Sequence, residues 1–276
     1  MLSVHTNNAS LIAQNSVNKT NDLLSNAMER LSTGLRINSA ADDAAGLQIA
    51  TRLNANVVGM QTASRNVSDA MSMLQTADGA LEELTTIANR QKELATQAAN
   101  GVNSKEDMDS LDAEFQQLNA EVKRIIEKTE FSGNKLFEAT DGVLTGTGTS
   151  FQIGSGSDER LDVALGTLAE LTNQVANGTD TDKTDALAAM DAVDGFLQAV
   201  STERSKLGAN INRLGHTAAN LANVTENTMA ASGRIMDTDF AVESANMTKN
   251  QLLVQAGTNI LSSANQNTGL VLGLLG

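Results

Sequence analysis

Cysteine, proline, tryptophan and tyrosine are all absent from this sequence, and phenylalanine occurs only six times. Without cysteine there is no disulfide, no thiolate nucleophile and no Cys-ligated metal. Without proline the strongest helix breaker is gone. Long uninterrupted helices are therefore permitted, and turns fall to Gly, Asn, Asp and Ser. Aromatic side chains supply much of the buried area of round enzyme cores. At 2% aromatic content a thick core is not expected, and Ala, Leu, Val and Met suit thin helix–helix interfaces instead. Basic residues are also scarce, 19 Lys and Arg against 33 Asp and Glu, for a net charge of −14. Lys and Arg never form a run, which argues against a nucleic-acid partner. The negative charge suits a self-associating chain that must stay soluble before assembly. The first twenty residues carry no basic region followed by an apolar run, so no cleaved secretory signal is expected. The terminal GLVLGLLG stretch is too short to span a bilayer, and no membrane insertion is expected.

What the chain does have is helical periodicity at both ends. Ala13, Val17, Thr20, Leu24, Ala27 and Leu31 alternate in steps of four and three. Leu253, Ala256, Ile260 and Leu261 form a similar short stripe. Such a stripe is stable only against another helix, and neither end has a partner nearby in sequence. The ends must meet each other, another molecule, or both. A structural, self-associating protein is therefore the first hypothesis.

The spacing predicts a first helix over Ser10–Leu31, stopped by Ser32-Thr33-Gly34, with Gly34 suited to the left-handed position after a helix. Ser39 and Asp42 resemble a capping box ahead of a long helix from Asp42 to Asn100. Its seam reads Val57, Met60, Ser64, Val67, Met71, Leu74, then Ala77, Leu81, Leu84 and Ala88. Ser104 is the expected cap of a third helix, with Glu106 and Asp107 where acids favour the helix dipole. That helix carries Met108, Leu111, Phe115, Leu118, Val122 and Ile125, antiparallel to its predecessor. Between 129 and 165 the pattern changes. A turn signal at Ser132-Gly133 and period-two alternation at Phe151, Ile153, Leu161, Val163 and Leu165 predict one or two β-hairpins. Residues 166–185 read as a polar connection with a short helix at Leu168–Val175. A helix over Ala186–Thr228, about 60 Å long at 1.5 Å per residue, then carries Met190, Val193, Leu197, Val200, Leu207, Ile211, Leu214, Ala218 and Leu221. Gly233 reads as a hinge before the terminal helix. The expected segments are 1–41, 42–128, 129–185, 186–232 and 233–276. The fold class is mainly α: an elongated antiparallel helical bundle or coiled-coil rod with a small β-hairpin region and paired terminal helices.

No catalytic or cofactor constellation emerges, and the protein is not expected to be an enzyme. His5 and His216 are the only histidines and no HExxH is present, so a zinc site is not expected. Asp42-Asp43 and the Asp237/Asp239 pair read as caps and solvated turns rather than paired catalytic carboxylates. Met60, Met71, Met190 and Met229 sit at helical spacing and read as core filler rather than a promiscuous surface. Gly146, Gly148, Gly154 and Gly156 lack the Lys-Ser/Thr of a phosphate loop.

The run from Glu29 through Leu47, ERLSTGLRINSAADDAAGL, resembles the signature of bacterial flagellin. The resemblance continues through Ala63-Ser64-Arg65-Asn66 and Gln75–Leu81, and returns at Arg234–Ala241 and Gln255-Ala256-Gly257. It covers about the first 140 and last 90 residues, in register at both ends. With only about 50 connecting residues between them, the chain looks like a short form lacking large variable outer domains. The resemblance implies an extracellular subunit of the flagellar filament that serves swimming motility and is exported without a cleaved signal. It also implies paired terminal helices as the filament's inner core. Partners implied are further copies of the chain in a helical homo-polymer, an export chaperone, a filament cap and hook-junction proteins. A hook–filament junction protein and a coiled-coil adaptor of fixed oligomeric state are the alternatives. The self-assembly seam is then Ala13, Val17, Leu24, Ala27, Leu31, Leu253, Ala256, Ile260 and Leu261. Within the family, a stretch like Asn89–Leu94 carries recognition by the innate receptor Toll-like receptor 5. Arg90, Leu94 and Glu114 match the positions implicated, with Arg90 supplying forked hydrogen bonds and Leu94 an apolar anchor. Asn89 stands where Gln is usual.

Overall fold

The structure, a computed structural model, describes residues 7–138, 142–145, 148–166 and 183–275. The predicted short helix at Leu168–Val175 lies outside the described residues. The elements in chain order are α1 (Asn8–Thr33), α2 (Ala44–Ala98), α3 (Lys105–Lys128), β1 (Glu130–Phe131), β2 (Asn134–Lys135), β3 (Thr149–Gln152), β4 (Arg160–Val163), α4 (Lys183–Met236) and α5 (Phe240–Leu275). The fold is mainly α. The chain divides into two compact units, one formed by Met1–Ala55 with Asn227–Gly276 and the other by Asn56–Glu226.

The larger unit is an antiparallel bundle of α2, α3 and the first part of α4. Its core follows the seams that periodicity marks: Leu74, Leu81, Leu84, Phe115, Val122, Val193, Val200, Leu207 and Leu214 are buried. Phe196 is buried as well, one position before the expected Leu197, which is only half-buried. Charge pairs tie the helices along their length. Arg90 of α2 reaches Glu114 of α3, Lys92 reaches Asp194 of α4, and Arg204 of α4 reaches Asp78 and Glu82 of α2. Arg204 thus interrupts the α4 seam because it turns to an acidic pair at the bundle edge. α3 begins with the predicted cap: Ser104 and Asp107 exchange side-chain-to-backbone hydrogen bonds in a full capping box.

Both hairpins form. β1 and β2 pair antiparallel through Ser132-Gly133, both at positive φ (52° and 82°), the geometry of a two-residue primed turn that matches strand twist. β3 pairs antiparallel with β4, Phe151 opposite Leu161 and Thr149 opposite Val163. Leu161 and Val163 are buried while Arg160 and Asp162 are exposed, the alternation of a sheet with one face on the core. Asn66 of α2 donates to the Gln152 carbonyl at 3.2 Å and fixes this hairpin to the helix.

The smaller unit pairs α1 with α5 and adds the first turns of α2 and the last of α4. Two boundaries differ from the sequence reading. Asp43, not Ser39, caps α2: its carboxylate accepts from the Gly46 N–H at 2.9 Å. Asp42 instead closes the preceding turn, accepting from the Ser39 hydroxyl and from the Asn38 and Ser39 N–H groups. Gly233 is no hinge, since α4 runs through it to Met236. A side chain there would meet the Asp237 carboxylate, which folds back to within 2.7 Å of a Cβ at that position.

Candidate functional site

The two linkers that lead into and out of the terminal helices hold each other. α1 ends at Gly34, left-handed at φ 74°, whose N–H donates to the Arg30 carbonyl. Beyond it, Leu35 bridges Asp237 in antiparallel fashion. The Arg36 N–H donates to the Met236 carbonyl at 2.6 Å, and the Thr238 N–H donates to the Gly34 carbonyl at 3.0 Å. The Arg36 guanidinium donates to the Ile235 carbonyl at 2.8 Å, so a cation neutralises carbonyls that the end of α4 leaves without helical partners.

From this clasp α1 and α5 run back antiparallel. Phe240 lies 3.8 Å from where a Gly34 Cβ would stand, Val17 faces Gly257, and at the far end Ser10 bonds the Asn265 side chain while Asn7 donates to the Ala264 carbonyl. On α1 the sheltered positions are Ala13, Val17, Thr20, Leu24, Ala27 and Leu31, the predicted stripe, with Ala13 and Ala27 fully buried. On α5 they are Glu243, Met247, Asn250, Val254, Gly257, Leu261 and Ala264, an unbroken alternation of four and three. Of the predicted C-terminal stripe only Leu261 belongs to that face; Leu253 and Ile260 are 48% and 61% exposed, and Ala256 is exposed too. The pairing face mixes Met247, Val254 and Leu261 with small and polar residues. A Cβ at Gly257 would sit 2.6 Å from the Val17 Cγ2, so the backbones approach closely there, while Leu252, Leu253 and Ile260 are left exposed.

The outward faces are consequently apolar. Leu11, Ile12, Leu23 and Met28 of α1 and Val242, Leu252, Leu253 and Ile260 of α5 are all about half exposed or more. A groove of about 430 Å³ lies between the helices, lined by Ala9, Ile12, Ala13, Ser16, Gly257 and Ile260. Large apolar side chains at this density on one helix pair mark an association surface rather than scattered surface residues.

The second predicted site lies in the bundle. The Arg90 guanidinium donates from Nε and Nη2 to one Glu114 oxygen, at 3.0 and 2.8 Å, and from Nη1 to Glu93 at 3.0 Å. The hydrogen bond to Glu114, then that to Glu93, raises the Arg90 pKa. All three side chains are about half exposed or more, so solvent screens the pairs and they add little to stability while presenting a charged surface. Leu94 is not part of that surface. It is 1% exposed, because four residues advance a helix slightly more than one turn and carry position 94 into the core. The reading of Leu94 as an exposed apolar anchor is corrected accordingly. Sequence reasoning also missed Gln91, which is fully buried with no hydrogen-bond partner for its side chain among the described residues; the signal was its place three residues after Ala88 on the α2 seam, which its polarity hid. Among the described residues, no group of three or more metal-ligating side chains occurs, and no helix is long and apolar enough to cross a membrane.

Fold and surface together define a class: a helical structural subunit with a close-packed terminal helix pair that leaves many large apolar side chains exposed. The family model for the bacterial flagellin N-terminal helical region matches residues 4–141, and that for the bacterial flagellin C-terminal helical region matches residues 190–275. A flagellin of Halalkalibacterium halodurans is 44% identical over 251 residues, 90% of each chain. Bacillus cereus flagellin, a solved structure, shares 35% identity with a TM-score of 0.51, covering 57% of this chain and 88% of that one. A flagellar hook-associated protein from Vibrio parahaemolyticus aligns with a TM-score of 0.61 over 71% of this chain and 100% of its own, at 14% identity, a likeness of fold alone. This chain belongs to the bacterial flagellin family. It is a structural subunit of the flagellar filament, the helical polymer of swimming motility, and the hook-junction and adaptor alternatives are not favoured.

Proposed function

We propose that the α1–α5 pair forms the filament's inner wall, with the sheltered faces closing within each subunit and the outward apolar faces closing between subunits. The observation that carries this reading is the set of large apolar side chains that α5 leaves exposed. Met247, Asn250, Val254, Gly257, Leu261 and Ala264 lie against its own partner helix, while Leu252 and Leu253 are exposed and Ile260, exposed too, borders the groove between the helices. Burying an exposed Leu or Ile is worth about 1.5–3 kcal/mol, so these exposed side chains supply association energy that a single helix pair lacks. Helices with so little tertiary packing are weak in isolation. In the dilute monomer Ser10–Leu31 and Phe240–Gly276 are open, and they become ordered in the polymer. Limited proteolysis before and after seeding with filament fragments tests this. Trimming of both ends in the monomer and protection in the polymer is expected. Full protection of the dilute monomer, or seeded Leu253→Ser/Ile260→Ser protein that polymerises like the parent, would refute the assignment.

Export without a cleaved signal, and contacts with an export chaperone, a filament cap and hook-junction proteins, are parts of the same reading. So is recognition by Toll-like receptor 5 through the Arg90–Glu114 surface, now without Leu94 as an exposed contact. Arg90→Ala is expected to reduce receptor activation while filaments still form; unchanged activation would remove the receptor from the list of partners.

A further inference from the structure

We propose that Asn100 is a site of spontaneous deamidation: a built-in, slow conversion of one surface amide to a carboxylate in the turn between α2 and α3. The sequence contains two Asn-Gly pairs, Asn100-Gly101 and Asn177-Gly178, and the second lies outside the described residues. The chemistry requires an unhindered backbone nitrogen after the asparagine, a carboxamide free to swing towards it, and water. All three are present at Asn100. Both Asn100 and Gly101 are exposed, and glycine brings no Cβ to shield its nitrogen. Among the described residues, neither the Asn100 carboxamide nor the Gly101 N–H has a hydrogen-bond partner.

The Asn100 backbone, by contrast, is held. Its N–H donates to the Gln97 carbonyl at 3.1 Å and its carbonyl accepts from Asn103. The reacting side chain is therefore free on an anchored main chain. Asn103, three residues on, is an internal control because both of its reacting groups are tied. Its carboxamide donates to the Gln97 carbonyl, and the following N–H, that of Ser104, donates to the Asp107 carboxylate at 3.0 Å.

The step balances with water as the only co-reactant. The Gly101 nitrogen loses its proton to solvent base and attacks the Asn100 Cγ. The Cγ–Nδ2 bond breaks, and ammonia leaves with a proton from water. The resulting five-membered imide takes up one water at either carbonyl and opens to aspartate or to isoaspartate, the latter with an extra methylene in the main chain. The product adds one negative charge to a chain already at −14. It places that charge at the C-terminal end of α2, where the helix dipole disfavours an anion. There it lines a surface hollow of about 620 Å³ that Lys92, Glu93 and Thr96 also border, so the mark alters the electrostatics of a surface beside Arg90.

The test is incubation of the purified full-length protein at neutral and mildly alkaline pH, followed by trypsin digestion and fragmentation mass spectrometry. The peptide Glu93–Lys105 contains both Asn100 and its control Asn103. The expected result is a time-dependent loss of amide at Asn100 and not at Asn103, faster at the higher pH. It should be accompanied by isoaspartate in the same peptide and a one-charge acidic shift on isoelectric focusing. Gly101→Ala is expected to suppress the conversion, while circular dichroism checks that the helices remain. Equal conversion at Asn103, unchanged conversion in the Gly101→Ala protein, or an acidic shift arising wholly from Asn177 would each overturn the assignment.

Discussion

Gly257 is where the terminal helix pair is most sensitive to a single methyl group. Gly257→Ala brings two opposed effects. Alanine is favoured over glycine in a helix interior by about 1 kcal/mol, which on its own would strengthen α5. The new Cβ, however, would lie 2.6 Å from the Val17 Cγ2, well inside contact distance. Valine in a helix is confined largely to one χ1 rotamer, so the clash is relieved only by separating the helices, an overpacking cost of about 1–3 kcal/mol. The net change is a destabilisation of the paired state between about zero and 2 kcal/mol. At tenfold per 1.4 kcal/mol, the upper end corresponds to a rise of about thirtyfold in the critical concentration for seeded polymerisation. Two companions make the comparison decisive. Gly208→Ala in α4 meets nothing within 4 Å, so it shows the propensity gain without the clash and stabilises by up to about 1 kcal/mol. Val17→Ala combined with Gly257→Ala removes the clash and should lower the critical concentration below that of Gly257→Ala alone. If Gly257→Ala behaves like Gly208→Ala and shows no coupling to position 17, the close-packed seam is not the pairing used in the filament.

Three further outcomes test the rest of the architecture. Gln91→Leu replaces a fully buried amide that has no partner among the described residues by an apolar side chain and should stabilise the bundle by about 1–3 kcal/mol, read as a higher thermal midpoint; a lower midpoint would show that the amide is satisfied in solution. Asp107 accepts from the Ser104 hydroxyl and then from its N–H, and these bonds hold its carboxyl below the usual 3.8. Since its folded value is depressed, its stabilising effect is present above that ordinary value and lost as the pH falls through the folded one. Ser104→Ala should therefore cost about 1 kcal/mol near neutrality and less in acid, as measured by urea denaturation at several pH values. Arg36→Ala removes the charged hydrogen bond to the Ile235 carbonyl, and hydrogen exchange should quicken at Asp237 and Thr238 with little change in the α2–α3 bundle.

Where burial follows hydropathy, periodicity located it well. The α1 stripe from Ala13 to Leu31 and Phe115 of α3 lie where three–four spacing puts them, and most of the α2 and α4 seams do too, except that Ala63, Ala70, Ala189 and Phe196 are buried beside the expected Ser64, Met71, Met190 and Leu197, which are half-buried; both hairpins formed around their turn signals. The errors have two physical causes. On α5 Leu253 and Ile260 are the hydrophobic choice, but the inside face takes Val254, Gly257, Leu261 and Ala264, with Gly257 where the backbones approach closely. Leu94 and Leu197 were misplaced for a different reason. A one-position ambiguity at the edge of a helical stripe is settled only by where the neighbouring helices stand. Ser39 and Asp43 are equally good caps by composition, and the turn closed by Asp42 decides between them.

Sequence by itself determined that the chain is a long-helix protein with no thiol, and its signature segments determined its family. Those properties depend on composition and local period, which act over a few residues. Tertiary structure decided which face of α5 turns inward, that Leu94 is core and Arg90 surface, and that the two linkers clasp through Arg36. These depend on contacts between residues from 24 to 257 positions apart, and a local pattern carries no information about what it will be packed against.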